Sequence, residues 1–198
     1  MKIKFLLIVI LTSTIISFVA HAQQTGIIVN LNGDTVKCEM KFPFIGADKY
    51  KTAEMEDFKK FNVKDVSYYR TDDLKRVYRA THLPKSKKLV FLQLVEDGKI
   101  TLYTYTVTSY GYMGATYTNT TWYVSKDNGE LQELKTKALF GNSSKKSRQN
   151  IFSEMIADNP EVLKQYEEAD NFSFKTLQNT VHYYNTGKLI EENKPTDL

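Results

Sequence analysis

Residues 100–129 carry the clearest structural pattern in the chain, and they read ITLYTYTVTSYGYMGATYTNTTWYVSKDNG. Two strand-like runs flank residues 110–114, and this arrangement predicts a hairpin with a long tip. A second hairpin is predicted at Asn128-Gly129, because these residues tolerate the positive φ of a tight turn between strands. The segment therefore predicts at least three consecutive antiparallel strands.

The same segment is unusual in composition. The 26 residues from 100 to 125 include no charged side chain and eight threonines. Alternation along the first strand places Tyr103, Tyr105 and Val107 on one face and Ile100 and Leu102 on the other. The hairpin is thus predicted to have an aromatic face and an aliphatic face.

Two interpretations of this hairpin are open. Both faces can be covered, with threonine and tyrosine present for their strand propensity. Alternatively the tip projects and recognises a protein or a glycan, because tyrosine offers a large contact area at low entropy cost. The candidate binding residues are Tyr103, Tyr105, Tyr110, Tyr112, Tyr117 and Trp122.

Further strands are predicted on the N-terminal side. Asn32-Gly33 and Asp97-Gly98 each separate two strand-like runs and predict two more hairpins. Residues 36–42 alternate between apolar and polar, which indicates a strand with one buried face. Residues 89–92 are continuously apolar and suggest a central strand covered on both sides. Weaker strand candidates lie around residues 50–55, 66–70 and 77–81.

The C-terminal part predicts about three short helices. Phe152, Met155 and Ile156 have helical spacing. Asn159-Pro160 is typical of a helix start, and a helix capped by Ser173 is expected to end at Gly187. Strands followed by helices predict an α+β fold, in which an antiparallel sheet, as a roll or partial barrel, precedes the helices.

The first 22 residues predict a secretory signal peptide. Lys2 and Lys4 precede an apolar run, and Ala20 and Ala22 stand where a signal peptidase reads small residues, so that cleavage leaves Gln23 first. An uncleaved anchor is the alternative, but the run is shorter than the roughly 20 apolar residues of a span. We therefore expect export to the periplasm or the exterior, with outer-membrane association also open and no stable membrane span after cleavage.

After cleavage we expect one domain. Residues 23–198 are predicted to form a single α+β domain with a β-rich part (23–138), a linker (139–148), a helical part (149–187) and a polar tail (188–198).

Composition argues against several classes of protein. Export would remove two lysines and reduce the net charge from +4 to +2. The basic clusters 85–88 and 145–148 are short and expected in solvated loops, so nucleic acid is not an expected partner. A single cysteine excludes a disulfide framework and a cysteine-based zinc site.

Catalytic patterns are not recognised in the sequence. It contains no Gly-x-Ser-x-Gly motif. His82 and His182 are interpreted as structural, and neither metal nor cofactor is expected. Cys38 is predicted in the core, with a reactive thiol as the alternative. The carboxylate groups of residues 54–57, 72–73 and 167–170 are expected on the surface with ordinary acidity.

Several short motifs point to a group of proteins. They are QQTGIIVNLNGDTV at 23–36, VEDGK at 95–99, ADNPEV at 157–162 and YYN at 183–185. Together they resemble a group of small, uncharacterised secreted proteins of diderm bacteria, although Cys38 stands where the group has glycine. The resemblance implies export and one β-then-α unit, and it transfers no catalytic residue.

Three functions are compatible with these patterns. The favoured hypothesis is a non-catalytic exported protein that binds an envelope protein or a glycan, with the tyrosine-rich hairpin as its surface. The alternatives are a hydrolase that cuts envelope polymers with carboxylates, and an inhibitory or structural module that occupies a partner's groove.

Overall fold

The computed structural model describes residues 24–43, 47–73, 75–84, 86, 88–111, 115–135 and 144–190. In these ranges antiparallel strands are followed by three helices, so the predicted α+β class is confirmed. The contacts divide the chain into two compact units, Met1–Arg76 and Val77–Leu198. The predicted signal peptide with Ala20, Ala22 and Gln23, the first half of the predicted linker (139–143) and most of the polar tail lie outside the described residues.

The first unit is built from five short strands. They are β1 (Gln24–Asn30), β2 (Thr35–Lys41), β3 (Lys49–Thr52), β4 (Lys59–Lys60) and β5 (Val66–Thr71). Their spatial order is β5-β1-β2-β3-β4, with β1 hydrogen-bonded on both sides. The weaker candidate at 66–70 is therefore a strand, the one at 50–55 is a strand only as far as Thr52, and β4 was not predicted.

The predicted hairpin at Asn32-Gly33 is confirmed, but its loop is longer than a two-residue turn. Leu31, Asn32 and Gly33 lie between Asn30 and Asp34, which are joined by a backbone hydrogen bond. The backbone NH of Asn30 donates to the Asp34 carbonyl at 3.1 Å, and Gly33 donates to the Asn30 carbonyl at 3.2 Å. Gly33 takes a φ of 90°, which glycine adopts without strain. The Asn30 side chain also accepts from the backbone NH groups of Asn32 and Asp34, which favours the longer loop.

Aromatic rings fill the core of the first unit. Phe61 lies 4.5 Å from the ring of Tyr69 and 4.9 Å from that of Tyr50, measured between centroids. Gly26 lies on β1 directly opposite Thr71 of the neighbouring strand β5, and a Cβ at Gly26 would overlap the carbonyl oxygen of Arg70. The glycine of the opening motif is thus explained by packing.

The second unit begins with a five-stranded meander. Its strands are β6 (Val77–His82), β7 (Leu89–Glu96), β8 (Ile100–Tyr110), β9 (Thr116–Lys126) and β10 (Gln132–Lys135). Neighbours in sequence are neighbours in space from β6 to β10. The hairpin at Asp97-Gly98 and the weaker strand candidate at 77–81 are confirmed, as is the pairing of β8 with β9 on either side of the predicted tip. Residues 112–114 of that tip lie outside the described residues.

The turn between β9 and β10 corrects a detail of the prediction. Asp127 and Asn128 take the two positive φ values, 52° and 56°, so the turn is centred one residue before Asn128-Gly129. Gly129 instead closes the turn, donating from its backbone NH to the Lys126 carbonyl at 2.8 Å. Aspartate and asparagine both tolerate this left-handed conformation, which permits the shift.

Three helices follow, namely α1 (Lys145–Ile156), α2 (Pro160–Glu168) and α3 (Phe174–Thr186). Asn159, Ser173 and Gly187 occupy the predicted capping positions. The expectation of a linker to residue 148, with a basic loop at 145–148, is wrong for the part described. Ser144 caps α1 by accepting from the Ser147 NH at 3.1 Å, so the helix starts at Lys145.

The helices cover one face of this meander. Ile100 and Leu102 point to the helix side, where they share a core with Phe152 and Leu177. The opposite face carries a second cluster that includes Val90, Leu92, Tyr103, Tyr123 and Leu131, with Tyr105 packed against it. The predicted division of β8 into an aliphatic and an aromatic face is confirmed.

Candidate functional site

The β8–β9 hairpin is longer than the strands on either side of it. The described pairing of β7 with β8 ends at Thr104, and that of β10 with β9 ends at Trp122. Beyond these points β8 and β9 continue to pair with each other as far as Tyr110 and Thr116. We call residues 106–111 and 115–120 the distal ribbon.

The distal ribbon is exposed, whereas the base of the hairpin is buried. Every residue from 106 to 110 and from 115 to 118 is exposed. Val107, Tyr110 and Tyr117 are 42%, 48% and 65% exposed, respectively. Five residues at the ordinary rise extend about 17 Å, so the exposed surface is long enough to contact a macromolecule.

The register gives the distal ribbon two different faces. One face is a ladder of threonines with Tyr110 at its end, and the hydroxyls of Thr106 and Thr120 lie 3.0 Å apart. The other face carries Val107 and Tyr117, and the Tyr117 ring lies against the backbone of Gly111. Both faces therefore combine apolar area with hydroxyl groups.

The sequence-based candidates divide between these regions. Tyr110 and Tyr117 lie on the distal ribbon, Tyr105 is half-buried at its base, and Tyr112 lies outside the described residues. Tyr103 is buried. Trp122 is also buried: its ring centroid lies 5.1 Å from that of Phe174, and the Lys135 ammonium lies over it at 4.3 Å. A partner has no access to Tyr103 or Trp122.

A second group of polar residues meets at the opposite end of the hairpin. Asp158, between α1 and α2, accepts from the Lys99 ammonium at 2.8 Å and from the Lys126 ammonium at 2.7 Å. The Tyr184 hydroxyl donates to the same carboxylate. These three donors hold the pKa of Asp158 well below its usual range. The group ties the helices to the sheet.

Helix α3 makes two further ties to this end of the sheet. The Asn185 side chain accepts from the Ile100 NH at 3.0 Å and donates to the Ile100 carbonyl at 2.7 Å. His182 Nδ1 lies 3.0 Å from a Glu96 oxygen. We call these residues, together with Asp158 and its three donors, the clasp. Sequence reasoning missed it because its bonded partners lie 26 to 86 residues apart.

Three of the short motifs singled out in the sequence contribute residues to the clasp. VEDGK supplies Glu96 and Lys99, ADNPEV supplies Asp158, and YYN supplies Tyr184 and Asn185. Each of these side chains is engaged with another part of the fold. His182 is half-buried in this structural role, whereas His82 lies exposed at the end of β6.

Burial raises the pKa of the Cys38 thiol to about 11, with a smaller contribution from Asp72. We expect the folded protein to react with iodoacetamide near pH 8 at least about tenfold more slowly than the urea-unfolded chain, because only the thiolate attacks. Alkylation followed by mass spectrometry is the measurement, and equal rates in both states would favour the reactive thiol.

The raised pKa of Cys38 also makes stability depend on pH. Since the folded-state pKa lies above the ordinary value, the unfolded chain loses the thiol proton first, and the free energy of unfolding should fall as the pH rises from 9.0 towards about 11.

The carboxylates singled out from the sequence lie on the surface. All the described acidic residues at 54–57, 72–73 and 167–170 are exposed, as expected. In the part of the chain that the structure describes, no three histidine, cysteine or acidic side chains come together as metal ligands. Among the same residues, no helix is both long and apolar enough to cross a bilayer.

The chain was compared with protein-family models, curated proteins and solved structures. No protein-family model, no curated protein and no solved structure matches the chain.

Proposed function

We propose that the chain is a non-catalytic exported protein, periplasmic or secreted, that binds an envelope protein or a glycan through the distal ribbon. The observation that carries this proposal is the exposure of an uncharged ribbon of two strands that extends beyond its neighbours. Strands of this kind associate readily with other chains, and proteins usually protect them with charges or a cover. The signal-like residues 1–22 support export.

The side chains of the distal ribbon suit recognition. Val107, Tyr110 and Tyr117 provide apolar area, and the surrounding threonines provide hydroxyl donors and acceptors. Tyrosine contributes contact area with only two rotatable side-chain angles, so little entropy is lost when it is held by a partner. Both a protein and a glycan can use such a surface.

The backbone of the distal ribbon favours the protein partner. The Gly111 NH donates to the Ala115 carbonyl at 2.7 Å, so Gly111 and Ala115 are a hydrogen-bonded pair. From this pair onward, hydrogen-bonded and non-hydrogen-bonded pairs alternate along the two strands. By alternation, Thr108 and Thr118 form a non-hydrogen-bonded pair, so their backbone NH and carbonyl groups point away from the ribbon. Outward rows of this kind accept an added strand from another protein.

Replacing Tyr110 and Tyr117 together by serine is expected to weaken binding at least about tenfold, because hot-spot aromatic residues carry much of an interface's energy. Stability should hardly change, since both side chains are exposed. The measurement is crosslinked affinity purification of the tagged protein from its own cell envelope, read by mass spectrometry. The same sample gives the mature N-terminus and the compartment.

A matched control removes exposed apolar area elsewhere. Leu31 and Leu189 are 63% and 71% exposed, and the double variant Leu31→Ser/Leu189→Ser should retain the partner at full amount. The variant Thr108→Lys places a charge at the strand edge, which should prevent strand addition and leave glycan binding largely intact. An undiminished partner with Tyr110→Ser/Tyr117→Ser would exclude the distal ribbon as the binding surface.

A further inference from the structure

The first unit has a concave feature of its own on the outer face of its sheet. A cavity of about 830 Å³ lies over β5, β1, β2 and β3, and it falls in the size range of small-molecule sites. The residues of its lining that matter chemically are Ile27, Lys37, Glu39, Lys51, Arg70 and Asp72.

Strand register places two cations on either side of one apolar side chain. Ile27 on β1 is directly opposite Lys37 on β2 and directly opposite Arg70 on β5. Directly opposed residues have their Cβ atoms about 5 Å apart, so the two basic side chains start about 10 Å from each other across Ile27. An anion with a short apolar body matches this row.

The basic groups of the cavity outnumber its acids by one. The ammonium group of Lys37 has no hydrogen-bond or ion-pair partner within the part of the chain that the structure describes. The Arg70 guanidinium lies 3.9 Å from the Asp72 carboxylate, which is a loose pair in solvent. Three basic side chains thus share the lining with two acidic ones, and the cavity has a net positive charge.

One wall of the cavity is a fixed loop. The lining includes Thr52 at the end of β3, and Ala53 and Met55, which follow this strand. The Met55 NH donates to the Thr52 carbonyl at 3.2 Å, and the Lys51 ammonium donates to the Glu56 carbonyl at 2.6 Å. The loop is therefore tied to the sheet where it borders the cavity, and Met55 adds apolar surface to the lining that also includes Ile27.

We propose that this cavity binds a small organic anion that carries an apolar group, such as a carboxylate with a short hydrocarbon body. The anionic group lies between Lys37 and Arg70, and the apolar body rests on Ile27 and against Met55. The site lies wholly within the first unit, so the proposal does not depend on the function of the distal ribbon.

The test uses 8-anilinonaphthalene-1-sulfonate as a fluorescent organic anion. The full mature chain is expected to bind it saturably at one site, and hexanoate should displace it while hexylammonium, with the same tail and the opposite charge, should not. The variant Lys37→Gln/Arg70→Gln should weaken binding at least about fivefold, because charge-assisted hydrogen bonds to the anion are removed. Amide chemical shifts should change at residues 25–27 and 37–39.

A control variant removes the same amount of charge outside the cavity. Lys49→Gln/Lys64→Gln should bind the probe as the parent chain does, since neither lysine lines the cavity. Tyr110→Ser/Tyr117→Ser should also bind normally, which separates this proposal from that for the ribbon. The proposal is overturned if Lys37→Gln/Arg70→Gln binds with parent affinity, if hexylammonium displaces the probe as well as hexanoate does, or if binding does not saturate.

Discussion

Replacing Phe152 by alanine is expected to destabilise the second unit by about 3–5 kcal/mol, the usual cost of removing a fully buried phenylalanine. Phe152 on α1 is completely buried, and its ring meets that of Tyr166 edge to face at 5.0 Å between centroids. Its neighbours in the cluster include Leu102 and Leu134 of the sheet. The cavity left behind would therefore remove contacts that α1 makes with both the sheet and α2.

Trp122 is the only tryptophan and belongs to the same buried cluster, so its fluorescence reports this unit during urea unfolding. Glu154→Ala, on the exposed side of the same helix, should change the free energy of unfolding by less than about 0.5 kcal/mol. Because a domain's total stability is only about 5–15 kcal/mol, Phe152→Leu provides a milder variant with an expected loss of about 1 kcal/mol. A loss below about 1 kcal/mol for Phe152→Ala would contradict packing of α1 on the sheet.

Local sequence patterns predicted which segments form strands and helices better than they predicted which strands lie next to each other in the sheet. Turn dipeptides marked three of the four proposed hairpins, at Asn32-Gly33, Asp97-Gly98 and Asn128-Gly129, because glycine, asparagine and aspartate are favoured in tight turns. The placement of β1 between β2 and β5 was not predicted, since a strand's partner is chosen by burial and register across many intervening residues. Even at Asn128 the turn shifted by one residue, because its neighbour Asp127 tolerates the same conformation.

The candidate site was only partly predictable for a related reason. Tyr103 and Tyr117 lie in the same uncharged, tyrosine-rich segment, yet one is 7% exposed and the other 65%. The difference comes from β7 and β10, which flank the base of the hairpin and leave its outer half without a described neighbour. The residues of the segment itself do not indicate where the neighbouring strands stop. The cavity in the first unit was missed because its row of Arg70, Ile27 and Lys37 forms only when β5 pairs with β1.

The clasp suggests why the short motifs occur together. Lys99, Lys126 and Tyr184 come from three segments of the chain and converge on the Asp158 carboxylate. Exposed ion pairs contribute little to stability by themselves, but a network with defined geometry can fix the position of the helices on the sheet. The base of the hairpin is held by this network, and the distal ribbon begins where the flanking strands stop. A rigid base lowers the entropy cost when a partner binds the ribbon.

Asn185→Ala is expected to destabilise the second unit by at least about 2 kcal/mol, because it leaves two backbone groups of Ile100 without their partner at a cost of about 1 kcal/mol or more each. The side chain of Asn185 pairs with both the NH and the carbonyl of Ile100, as a neighbouring strand would. Asn185→Asp keeps an acceptor for the NH but replaces the donor to the carbonyl by a carboxylate oxygen that repels it, so this variant should be destabilised as well. Urea unfolding followed by Trp122 fluorescence measures both variants.

Gly98 makes this contact testable by a double-mutant cycle. A Cβ at Gly98 would lie 2.6 Å from Cγ of Asn185, so Gly98→Ala should displace the asparagine and destabilise the parent chain. In the Asn185→Ala background this obstruction is absent, and the cost of Gly98→Ala should fall by at least about 1 kcal/mol, a coupling typical of residues in contact. Losses that add to within about 0.5 kcal/mol would mean that the two residues act independently. Asn185 would then not be the group that holds the start of β8 against α3.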